Sequence, residues 1–99
     1  MREIRLSAAA KADLIDIWTE TARTWGAAQA DGYLDAIDGA LTHLIDNPLL
    51  GPDCSDILAG TRRLVTGRHL VFYEITGEAI FVIRVLHQSM EVSRHLPTP

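Results

Sequence analysis

The spacing of apolar and polar positions changes along the chain, and each change marks an element. Glu3 to Leu6 alternates, with Ile4 and Leu6 on one side and Glu3 and Arg5 on the other, the period of two of a half-buried strand. From Ser7, whose hydroxyl suits an N-cap, the period becomes helical. Ala10, Leu14, Ile17, Trp18, Thr21 and Trp25 share one stripe, and Lys11, Asp13, Asp16, Glu20 and Arg23 fall mostly off it. Gly26 predicts a helix end in the left-handed conformation. A second helix then runs to about Asn47 on the stripe Ala30, Tyr33, Leu34, Ile37, Leu41, Leu44 and Ile45, with Asp31, Asp35 and Asp38 toward solvent. So short a connection predicts an antiparallel helical hairpin. Trp18, Trp25 and Tyr33 are expected to pack inside it.

Asn47-Pro48 closes the second helix, and Pro48, Gly51, Pro52 and Gly60 predict an irregular loop over residues 48–60. Within it, Asp53 and Asp56 read as solvated turn residues rather than metal ligands. From Thr61 the period returns to two, Gly67 marks a turn, and Leu70 to Ile75 supplies another strand. Gly77-Glu78, between Thr76 and Ala79, suits a two-residue hairpin with glycine first. Ile80 to Met90 is apolar on both pleat faces, as a central strand is. The tail from Glu91 holds at most one helical turn before Pro97 and Pro99. The order predicts an α+β fold, β-α-α-β-β-β, in one domain over residues 1–99. Its last three strands form an antiparallel meander, the first strand joins the sheet, and the helical hairpin covers one face.

Composition narrows the classes. A single cysteine, Cys54, excludes an internal disulfide, and no apolar run approaches the roughly 20 residues of a membrane span. A soluble cytoplasmic protein is expected. Net charge is −4, but it is divided unevenly: residues 1–59 carry −6 and residues 60–99 carry +2. Lys11 is the one lysine, so the positive charge of the second half is arginine, which suits carboxylate or phosphate recognition.

Glycine-rich phosphate loops, paired-cysteine metal spacings and nucleophile elbows are all missing from the sequence. The remaining polar set is Arg62, Arg63, Arg68, His69, Tyr73, Arg84 and His87, with Arg94 and His95 in the tail. Arginine beside histidine suits phosphate binding and proton transfer, as a metal-free ribonuclease needs. The same residues equally serve as strand-end charges and half-buried polar tips. Arg84 stands in an apolar strand and needs either an internal carboxylate or a partner's surface, with His87 on the opposite pleat face.

Together these pieces resemble the ParE toxins of bacterial toxin–antitoxin pairs, within the RelE/ParE group, nearly end to end. The resemblance rests on Leu6-Ser7 with Ala12-Asp13-Leu14 and Ile17-Trp18, then Trp25-Gly26 with Gln29-Ala30 and Tyr33. It continues through Asn47-Pro48 with Gly51, Arg68-His69-Leu70-Val71-Phe72-Tyr73, and Arg84-Val85-Leu86-His87 with Met90. It implies a gyrase-inhibiting toxin, without cofactor or metal, held inactive in a hetero-oligomer by a ParD-like ribbon–helix–helix antitoxin that alone contacts operator DNA. Arg62, Arg63, Arg68, Arg84 and His87 are then the target-facing candidates. Leu14, Trp18, Tyr33, Ile37 and Leu41 are the antitoxin-facing ones. A RelE-like messenger RNA nuclease using Arg62, Arg84 and His87, or a non-toxic antitoxin-binding relative, is the alternative.

Overall fold

The computed structural model describes residues 2–90 and Leu96. The expectations placed on Arg94, His95 and the prolines of the tail lie outside the described residues. The elements are β1 (Glu3–Leu6), α1 (Ala8–Trp25), α2 (Ala27–Asp46), β2 (Arg62–Thr66), β3 (His69–Thr76) and β4 (Ala79–His87). Ser7 caps α1, its hydroxyl oxygen accepting the Ala10 N–H at 2.9 Å. Gly26 ends α1 and begins α2 at φ 94° and ψ 162°. This conformation is positive in φ but extended in ψ, and it is open to glycine almost alone.

The sheet order is β1-β4-β3-β2. β2, β3 and β4 form the antiparallel meander, closed by two-residue turns between the pairs Thr66–His69 and Thr76–Ala79. Gly67 and Gly77 hold the first position of these turns with φ 57° and 56°, as a type II′ turn requires. β1 makes the sheet mixed, because it runs parallel to β4. Its direction is set at the β3–β4 turn, where Glu3 N–H donates to the Glu78 carbonyl at 2.8 Å.

Both faces of β4 are covered. Ile80, Val82 and Val85 join Ala10, Ile17, Ile37, Leu41 and Leu44 beneath the helices. Ile83 and Leu86 join Phe72, Cys54 and Leu96 on the other side, with Leu58 of the loop against them. A β-bulge separates these registers: Tyr73 faces Val82 while Phe72 faces Arg84, leaving Ile83 as the extra residue. The loop is tied down by Tyr73, whose fully buried hydroxyl donates to the Pro48 carbonyl at 2.7 Å and accepts the Gly51 N–H at 2.9 Å. A Cβ at Gly51 would come within 2.9 Å of that ring, so the close approach needs glycine.

The tryptophans correct the expectation of a hairpin core. Trp25 is 72% exposed and Trp18 37% exposed, because the apolar stripe of α1 outruns the surface it covers. Trp18 instead donates its indole N–H to the Asp31 carboxylate on α2 at 2.9 Å.

Candidate functional site

β1 is shorter than β4, and that difference creates the first polar centre. The ladder stops where Leu6 pairs with Val82, so the next part of β4 has no strand on its β1 side. Ser7 and Asp13 take that role. The Ser7 hydroxyl donates to the Ile83 carbonyl at 2.6 Å, and Asp13 Oδ2 accepts the Val85 N–H at 2.9 Å. The same carboxylate receives the Arg84 guanidinium in a two-pronged contact, Nε to Oδ2 at 2.8 Å and Nη2 to Oδ1 at 2.7 Å. With side chains 21% and 11% exposed, the pair is partly desolvated, and hydrogen bonding to Asp13 raises the Arg84 pKa further above its ordinary value. Arg84 is thus engaged internally by a helix carboxylate.

A second centre lies beside it, in a cleft of about 780 Å³ between α1, α2 and the far end of the sheet. Its floor is a cross-strand pair, His69 on β3 opposite His87 on β4, with rings edge to face at 5.2 Å. Tyr33 of α2 reaches His69 Nδ1 at 2.5 Å, and its oxygen accepts the Arg68 backbone N–H at 3.0 Å. Gly67 makes this possible, since a Cβ there would stand 2.7 Å from the Tyr33 hydroxyl. His87 Nδ1 accepts the Ser89 backbone N–H at 3.1 Å and meets the Ser89 hydroxyl at 2.7 Å. A backbone N–H only donates, so neutral His87 carries its proton on Nε2. For His69, the Tyr33 hydroxyl oxygen accepts from Arg68, and when the hydroxyl gives its own hydrogen to Nδ1 the ring carries its proton on Nε2. Burial, then the neighbouring His87, lowers the His69 pKa and favours this neutral form.

The candidate residues therefore divide. Arg68, His87 and Tyr33 line the cleft, joined by His69. Arg62 is at the opposite end of the sheet, where its Nη1 donates to the Gly51 carbonyl at 2.6 Å. Arg63 is half-buried beside it on β2. Arg62, Arg84 and His87 are not brought to one point. Leu14 lines a separate apolar groove of about 370 Å³ along β1, with Asp35 and Asp38 on its rim; Ile37 and Leu41 reach its floor but are buried in the core, which corrects their expected exposure to a partner. Trp18 and Tyr33 lie outside that groove. Among the described residues no cluster of three or more metal-ligating side chains occurs, and no helix is long and apolar enough to cross a membrane.

An acid-edged β-α-α-β-β-β domain of this form matches a known class. The family model described as the ParE toxin of type II toxin–antitoxin systems, parDE, matches residues 4–92, and the chain belongs to that family. It is similar to Toxin ParE1 of Caulobacter vibrioides, with 42% identity over 97% of this chain and 99% of the relative. Toxin ParE1 of Mycobacterium tuberculosis is 46% identical over 92% of this chain and 94% of its own length. A solved structure, the chromosomal ParDE TA system from P. aeruginosa, shares the fold with a TM-score of 0.77 at 20% identity, covering 88% of this chain and 96% of that one.

Proposed function

We propose that this chain is a cytoplasmic, non-enzymatic toxin that inhibits DNA gyrase and is neutralised by a ParD-like ribbon–helix–helix antitoxin in a hetero-oligomer. The observation that supports the reading is the near full-length similarity to Toxin ParE1 proteins of two distant bacteria. Operator DNA is contacted through the antitoxin alone. No cofactor takes part.

The antitoxin segment lies in the groove that Leu14 lines with Ile4, Leu6 and Leu34 above the buried Ile37 and Leu41, filling it with apolar side chains while basic residues meet Asp35 and Asp38. Trp18, at the outer end of the helical hairpin, and the open edge of β1 extend the contact. Target recognition falls to Arg63, Arg68 and His87, while Arg62 and Arg84 fix the loop and the sheet edge that support them. The nuclease alternative is weaker because its three residues are separated.

The test is gyrase supercoiling of a relaxed plasmid with the purified chain. Inhibition relieved by added antitoxin is expected. Undiminished supercoiling in the presence of folded protein overturns the reading, and ribosome-dependent cleavage of messenger RNA becomes the next assay.

A further inference from the structure

The cleft above His69 and His87 is electrically divided. Four charged side chains line it: Asp13, Asp16, Glu20 and Arg68. Two of them are neutralised locally, Asp13 by Arg84 and Glu20 by Arg23 at 2.8 Å. Asp16 on the α1 wall and Arg68 on the sheet wall are both exposed and have no ion-pair partner among the described residues. Beside Arg68 the two imidazoles have their Nδ1 atoms engaged, His69 by Tyr33 and His87 by Ser89, which leaves Nε2 as the ring nitrogen available to a ligand. One wall thus offers two imidazoles and a cation, and the other an anion. Exposed Trp25 and Met90 give the cleft an apolar margin.

Each wall has a simple complement. A carboxylate satisfies two N–H donors beside a guanidinium, and a lysine or arginine satisfies Asp16. A polyanion such as a nucleic-acid backbone matches only one wall and meets Asp16 with like charge. A peptide carrying both signs matches the two walls at once.

We propose that this cleft receives a segment of the toxin's protein target carrying one acidic and one basic side chain, the carboxylate held by His69, His87 and Arg68 and the cation by Asp16. The proposal rests on the reading that the chain acts by binding a protein target. Of the residues proposed to face the antitoxin, Leu14, Ile37 and Leu41 gather at the other groove, and Tyr33 alone reaches this cleft, where its hydroxyl is engaged by His69 and Arg68.

The experiment titrates an acetylated, amidated Lys-Gly-Gly-Glu peptide into the isotope-labelled chain and follows the histidine ring signals by NMR. Millimolar binding that shifts His69 and His87 is expected, with at least tenfold weakening when the peptide Glu becomes Gln or the protein carries Arg68→Gln. Asp16→Asn should weaken the Lys peptide and leave its Lys-to-Met analogue unchanged. Equal shifts with the Glu and Gln peptides, or no shift at either ring, overturn the proposal.

Gyrase inhibition supplies the second arm, with antitoxin binding as the check that the exposed-site variants fold. If the unaltered chain inhibits gyrase, Asp16→Asn and Arg68→Gln should each lose at least tenfold in potency. Unchanged potency in both overturns the cleft assignment while the gyrase reading stands. Failure of the unaltered chain to inhibit overturns that reading instead, and the peptide titration still decides what the cleft binds.

Discussion

Asp13 serves a backbone amide and a guanidinium with one carboxylate; the first demand arises because β1 ends early, the second because Arg84 stands in an apolar strand. Removing its charge takes the two-pronged carboxylate contact from a partly buried Arg84. Asp13→Asn is expected to destabilise the chain by about 3 kcal/mol, the low end for a broken buried pair because some solvent reaches it. Urea unfolding measures this, and Asp13→Asn combined with Arg84→Gln should regain part of the loss. A cost of about 0.5 kcal/mol would instead place the pair with ordinary surface ion pairs. Part of this was legible in the sequence: an arginine in an apolar strand demands acceptors. Which carboxylate answers was not legible, since Asp13 sits off the helix's apolar stripe and is drawn in only by an unpaired strand edge. Tyr33 was similarly opaque, because its helical spacing reads as packing while its hydroxyl fixes a histidine.

At the scale of elements, two similar turns differ in what they touch. Gly67 and Gly77 share nearly the same φ, but a Cβ would strike Tyr33 at Gly67 and meet nothing within 4 Å at Gly77. Gly77→Ala should therefore cost only backbone strain, about 1 kcal/mol. Gly67→Ala should cost about 2–3 kcal/mol, adding displacement of Tyr33 to that strain. Urea midpoints give the two costs, and the His69 ring signal should move only in Gly67→Ala. Equal costs would mean that the Tyr33 contact is loose. The element order and both hairpin turns were readable from periodicity and glycine placement. The bulge at Ile83 was not, because Ile80 to Ile83 is apolar at every position and shows no alternation to break. The parallel pairing of β1 was likewise hidden, since a four-residue alternation carries no direction.

Across the whole molecule, the division of charge between the two halves of the sequence reappears as the two walls of one cleft. The same cleft gives stability a pH dependence. His69 titrates below its ordinary value of 6.5 when folded, so in the window beneath that value the unfolded chain binds the proton more readily. Stability is therefore full above about pH 7 and falls as the pH drops toward 5. Asp53, lowered chiefly by the Ser55 N–H bond, acts only below the ordinary carboxylate value of 3.8 and does not enter this window. Urea unfolding at pH 7.5 and 5 should show the decline, and His69→Gln should flatten it; an unaltered slope would assign the dependence elsewhere. The pairing of β1 with β4 also has a meaning in time. Glu3–Leu6 is synthesised before every other strand, yet its neighbour Ala79–Val82 follows all the helices and the rest of the meander. A growing chain cannot assemble this sheet on the ribosome until β4 has emerged, so the toxin's finished surface forms only after both helices and the other strands have been made.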